Sequence, residues 1–292
     1  MRKELLLPGI AVAGGIAGHV LRRWNLATAF ESETHLARSG APSTTALVIL
    51  TAVVLLLLAV LCPHKSYSGN YNQAFSAKSR QSILAAVVCA AFLLAGAALF
   101  QLVGLPLAYL EVAAELEGQY NAGNPLLGLL PQVLLTVLCS VSAVCILATG
   151  KNNYRDEKRG QYSLMLLMPA YTFGIWLVCA YQDRAGDPVL LDYIFEFLAI
   201  ITCLLGLYSI AGFAFQRVRV FQTVFFSLAA VYFSAVTLAD QLSPEALLLY
   251  GFAALYLLAQ TAVLLTNLQQ PVPEAAPDTL EIETEGTPDA QS

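Results

Sequence analysis

Apolar runs long enough for a helix to cross the ~30 Å hydrocarbon core of a bilayer recur along the whole chain. A soluble domain with a single anchor would show one such run. The repetition therefore predicts an all-α, polytopic transmembrane helical bundle of about eight spans. Only 12% of residues are charged, against about 25% in soluble domains. The net charge of −5 misleads, because six acids and no base fall in the last 26 residues. The chain divides accordingly into a bundle over residues 1–266 and an acidic, proline-bearing tail over 267–292, read as disordered.

The expected spans are Leu5–Leu21, Ala46–Cys62, Ser82–Leu105, Pro125–Thr149, Tyr162–Tyr181, Pro188–Gln216, Val220–Leu238 and Ala246–Thr266. In the first, Gly14 and Gly18 form a G-x-x-x-G, and Gly9, Ala13 and Ala17 make a second small-residue row; both suggest close helix contact within the molecule. Arg22-Arg23-Trp24 reads as an interfacial anchor. The segment Leu26–Pro42 suggests a short hairpin around Ser32-Glu33-Thr34. After Pro106, Leu107–Glu117 reads as a separate amphipathic helix on the membrane surface, and Pro169 as a kink in the fifth span. Asp187 followed by Pro188 is a helix start, as is Ser243-Pro244-Glu245. In the seventh span Thr223, Ser227, Ala230, Ser234 and Thr237 repeat at heptad spacing. A helix-packing seam explains that stripe; lining a pore is the alternative. Eight spans with both termini cytoplasmic put eleven Lys and Arg on the inner side and four on the outer, the preferred sign of that bias.

A glycine-rich first span, then Arg22-Arg23-Trp24-Asn25-Leu26-Ala27-Thr28-Ala29-Phe30, then Gly40-Ala41-Pro42 resembles a group of uncharacterised multi-spanning bacterial membrane proteins over the first 60 or so residues. The resemblance implies a bacterial cytoplasmic membrane and carries no function to transfer.

Catalytic signatures are missing. His19, His35 and His64 lie far apart, and there is no H-E-x-x-H, G-x-S-x-G or phosphate-binding glycine loop. The six cysteines form no C-x-x-C pair and read as small packing residues. The expectation is no enzyme, no cofactor, no metal and no nucleic-acid partner. The informative residues are two acids on one apolar helix, Asp192 and Glu196. A carboxylate inside hydrocarbon must face the bundle or a wet cavity. Gln101, Gln132, Ser234 and Tyr250 fall at a similar depth, so Glu196, Asp192, Gln132, Tyr250 and Ser234 form the expected ligand-binding set around a cavity open to the outside. The bland alternative is a neutral Glu196 bonded to Gln132 or a tyrosine, fixing helix packing. The function expected is a non-enzymatic membrane component, such as a scaffold, sensor or partner subunit, with a lipid bilayer around it, a protein partner on the acidic tail and self-association left open. The alternative is a transporter of a cation, proton-coupled solute or small amphiphile using Glu196.

Overall fold

A computed structural model of the protein describes residues 3–31, 36, 38, 40–64, 67, 69–78, 80–116, 124–155, 163–186 and 189–269. Among them there are eight helices long and apolar enough to cross a membrane. They are α1 (Lys3–Thr28), α2 (Pro42–Leu61), α4 (Gln81–Leu116), α6 (Leu130–Arg155), α7 (Ser163–Arg184), α8 (Leu190–Gly212), α9 (Val220–Thr237) and α10 (Pro244–Asn267), with short α3 (Tyr71–Ala74) and α5 (Pro125–Gly128) between them. An even number of crossings puts the start of α1 and the end of α10 on one face, called the terminal face below. The expected tail from residue 270 onward, Asp187 and Pro188, and the hairpin tip at residues 32–35 lie outside the described residues.

Neighbour relations define a ring of six helices in the order α9, α8, α7, α6, α4, α10, with α10 closing back onto α9. Helices α1 and α2 pack outside the ring against α9. The composition of α9 accounts for its central place. Thr223, Ser227, Ala230, Ser234 and Thr237 are all buried, so the heptad stripe is a packing seam. On α8 the row Ala199, Cys203, Gly206 and Ile210 is buried too, and a Cβ on Gly206 would lie 3.3 Å from Ser227 Cα. Small residues on both helices let the backbones approach. Five of the six cysteines are buried and all are free thiols.

Helix α1 corrects two expectations. It does not end at an interfacial Arg-Arg-Trp but continues to Thr28. Its buried stripe is Leu7, Ala11, Gly15, Gly18, Arg22, Asn25 and Ala29, and it packs on α9. A Cβ on Gly15 would lie 2.8 Å from Ala235 Cβ, and one on Gly18 would lie 2.6 Å from Val236 Cγ2. Gly14 faces α2, where its Cβ would meet Val54. The second row, Gly9, Ala13 and Ala17, is exposed instead. Gly14, Gly15 and Gly18 thus serve contacts inside the molecule.

The surface helix expected after Pro106 is not separate. Helix α4 runs unbroken through Pro106 to Leu116. A proline frees one backbone carbonyl and crowds one turn, a local cost that an otherwise apolar helix absorbs. Residues Leu102, Val103, Leu107 and Leu110 on both sides of it remain exposed as a lipid-type surface. The base of the expected hairpin does pair: Glu31 N–H donates to Leu36 O, and Arg38 N–H to Ala29 O.

On the terminal face the loop after α2 is folded. Asn267, at the end of α10, donates to the carbonyls of Ala74 and Ser76, each at 2.9 Å. Asn153 donates to Tyr71 Oη at 3.1 Å, and burial pushes the Tyr71 phenol up to about 12 despite that bond.

Candidate functional site

The opposite face carries the buried charge. Two ionic clusters lie there, one on each side of the start of α8. Asp192 and Glu196 are one helical turn apart, yet they serve different helices.

Asp192 belongs to the first cluster, built around Arg22. This arginine is 1% exposed, so the outward anchor expected from the sequence is a buried cation. Its Nε donates to Asp240 Oδ1 at 2.7 Å and its Nη1 to Asn25 Oδ1 at 3.1 Å. Nη2 donates to the backbone carbonyl of Asp192 and sits 4.0 Å from that residue's Oδ1. The guanidinium also lies 5.3 Å from the centre of the Phe195 ring. Asn25 passes the connection to Thr44 of α2 at 2.8 Å. One side chain of α1 thereby ties together α8, the loop after α9 and the start of α2. Burial pushes the Asp240 carboxyl up to about 6; Arg22 opposes that rise, and the nearby Asp192 and Glu196 add to it.

Glu196 belongs to the second cluster. Arg184, from the last turn of α7, donates to Glu196 Oε2 from Nε at 3.2 Å and from Nη2 at 3.0 Å. The Glu196 side chain is 13% exposed and the arginine 35%. The alternative of a Glu196 bonded to Gln132 or a tyrosine is replaced by this ion pair. Tyr250 is fully buried, packs at a tilt against Trp176 with ring centres 4.7 Å apart, and reaches only the Glu196 backbone carbonyl, at 3.4 Å.

Beside this pair is a void of about 280 Å³ at the non-terminal end of the helix ring. Its polar lining is Gln101 of α4, Gln132 and Thr136 of α6, Asp183 of α7, Glu196 of α8, and Ser243 and Glu245 at the start of α10. Trp176 and Cys179 form part of the apolar wall. Gln101 Oε1 is buried without a hydrogen-bond partner. A polar atom so placed is costly unless something occupies the space beside it.

No family model matches this chain, and no curated protein or solved structure does either. The bacterial resemblance of the first 60 residues thus has no support from those comparisons. The multi-span membrane architecture stands on the helices alone.

Of the expected set, Glu196 and Gln132 line the void, joined by Gln101. Tyr250 stands behind the wall as a support for Trp176 and α8. Two residues fall elsewhere. Asp192 turns to Arg22, because the buried guanidinium is the stronger neighbour. Ser234 sits in the α8–α9 seam, 3.6 Å from Cys203 Sγ, because its heptad stripe faces α8. Sequence reading missed Asp183, Arg184, Ser243 and Glu245. Each lies at a span end, where a charge or cap is ordinary, and only the ring closure brings them together. Among the described residues no three His, Cys, Asp or Glu side chains are grouped as a metal ion would need.

Proposed function

We propose that the chain is a non-enzymatic membrane protein that takes a small organic cation into this void, to sense it or to carry it. The observation behind the reading is the convergence of Asp183, Glu196 and Glu245 from three helices on one cavity, with Arg184 paired to one of them. Three acids against one arginine favour a cation. Trp176 in the wall offers a π face, and Gln101 and Gln132 offer amide oxygens to N–H groups. The volume suits a small amine, being at the lower end of ligand pockets. Among the described residues no histidine lines the void, and we assign it no bond-making step.

The reading as a scaffold or partner subunit keeps one observation in its favour. Arg184 already gives Glu196 Oε2 two hydrogen bonds, which joins α7 to α8 whether or not anything binds. We place the protein in a bacterial cytoplasmic membrane with both termini inside. The distribution of Lys and Arg supports that orientation, and the acidic tail then faces the cytoplasm, available to a protein partner.

The test is thermal unfolding in nanodiscs titrated with methylammonium, choline and sodium ions. An amine present at a hundred times its Kd stabilises the protein by about 2.7 kcal/mol. Asp183→Asn and Glu245→Gln should weaken that response, and Glu196→Gln should remove it. A variant Glu196→Gln that unfolds earlier in a protein indifferent to every amine would leave only the scaffold. Uptake of the stabilising amine into proteoliposomes separates carrying from sensing.

A further inference from the structure

We propose that the terminal face holds a built site for one anionic phospholipid from the surrounding leaflet. The headgroup sits at Arg217 and Arg219, and one acyl chain lies in a slot between α7 and α8. Two adjoining cavities make the site. The outer one, about 720 Å³, is framed by Arg217, Arg219, Ser209 and Gln222, with Tyr208 and Phe226 as apolar walls. The inner one, about 460 Å³, is almost wholly apolar and reaches Gly174, Tyr171 and Leu138. Leu167 and Tyr208 line both, so the two lie side by side. A polar, basic mouth leading into an apolar slot has the chemistry of a phospholipid.

The local structure explains how the arginines reach the mouth. Helix α8 gives way to a 3₁₀ turn, Phe213–Phe215, ended by Gln216 in the left-handed region at φ 57°. Arg217 N–H then donates back to Gly212 O at 2.9 Å, so the chain folds over the end of α8 instead of departing from it. A non-glycine residue in that region is uncommon. The result is that Arg217 and Arg219 stand beside the groove and not out in the connecting loop. Neither has a carboxylate partner among the described residues. Arg219 is bonded to Gln222 at 3.3 Å, which holds it on the mouth side of α9.

Depth fits one leaflet. Gly174 is eleven residues from the terminal-face end of α7, or about 17 Å along the helix, and half of a ~30 Å core is about 15 Å. A Cβ on Gly174 would meet nothing within 4 Å, so the slot is open at that level. Basic residues at a membrane edge also arise from topology alone. Topology, however, asks for no apolar slot beneath them. Basic pockets between spans are a known mode of anionic-headgroup recognition.

The experiment is native mass spectrometry of delipidated protein in detergent, incubated with phosphatidylglycerol or phosphatidylcholine. The wild type should retain one lipid with a preference for phosphatidylglycerol of roughly fivefold per arginine. Arg217→Gln with Arg219→Gln should keep the lipid and lose the preference. Gly174→Trp should lower retention of both lipids, with circular dichroism and the melting temperature unchanged to show that the fold survives. Free glycerol phosphate should not compete. Equal retention of the two lipids by the wild type, or a preference surviving in the double variant, would overturn the proposal. Full retention by Gly174→Trp, or displacement by glycerol phosphate, would do so as well, the last by showing a site for free phosphate esters.

Discussion

Arg22→Ala destabilises the bundle by about 3–5 kcal/mol, the cost of removing one partner from a buried ion pair. The guanidinium is fully enclosed and bonded to Asp240, Asn25 and the Asp192 carbonyl, so its loss leaves a buried carboxylate and two acceptors unmet. Arg22→Lys recovers little, since an ammonium cannot supply a planar fork to three partners on different segments. Asp240→Asn is expected to be milder. An amide oxygen at 240 still accepts from Arg22 Nε, and Asp192 Oδ1, 4.0 Å from Nη2, remains to balance the guanidinium. The sign of the pH effect follows. A carboxyl raised in the folded state contributes stability that is full below its ordinary value near 4 and is lost as pH rises through about 6. Asp192 and Glu196 act on this group in the same direction as burial, and Arg22 against it. Thermal unfolding in detergent should therefore show wild-type stability falling between pH 4 and pH 6, and Asp240→Asn flat across that window apart from other groups. The penalty of Arg22→Ala should be smaller at pH 5 than at pH 8, because Asp240 can then take a proton. An Arg22→Ala protein as stable as wild type at pH 8 would remove this cluster from the account.

The second large effect is at the α1–α9 crossing. Gly15→Val should cost about 1–3 kcal/mol or more by forcing the helices apart. The atom in the way is Ala235 Cβ, 2.8 Å from the added carbon, and it is fixed to the backbone of α9. Carbon pairs are comfortable only at 3.5–4.0 Å, so the helices must separate. Separation also strains the hydrogen bond from α9 to α2 between Tyr232 Oη and Thr51 Oγ1, now 2.7 Å. The compensating change is Ala235→Gly. In a double-mutant cycle, Gly15→Ala with Ala235→Gly should recover stability with a coupling of about 0.5–3 kcal/mol. Gly9→Ala, whose Cβ would meet nothing within 4 Å, is the neutral control. Additive penalties at 15 and 235 would mean that α1 does not cross α9 at this point.

The bundle was legible because hydropathy measures the solvent a helix can tolerate, and that property belongs to each segment alone. The α9 seam was legible for a similar reason: small residues at heptad spacing leave one side of a helix fit only for another helix. Arg22 was misread because the rule for basic residues at membrane edges concerns the average arginine. The corrective signal was present in the stripe Leu7, Ala11, Gly15, Gly18, Arg22, in which the arginine continues the face of the packing glycines. Pro106 was read as a stop because the proline rule concerns one turn, whereas the continuation of α4 depends on the apolar turns beyond it. Asp183 and Glu245 were beyond local reading altogether. They lie more than sixty residues apart in sequence, and only the order of helices around the ring brings them to the void that Glu196 enters.

The most direct test of the proposed cation site is difference infrared spectroscopy of the protein in nanodiscs, with methylammonium added and removed. Glu196→Gln serves as the reference. A carboxylate band should shift when the amine enters beside the Glu196–Arg184 pair and be absent from the variant. A carboxylate spectrum unmoved by methylammonium, identical before and after its addition in the wild type, would contradict the site and leave Glu196 as a clamp between α7 and α8.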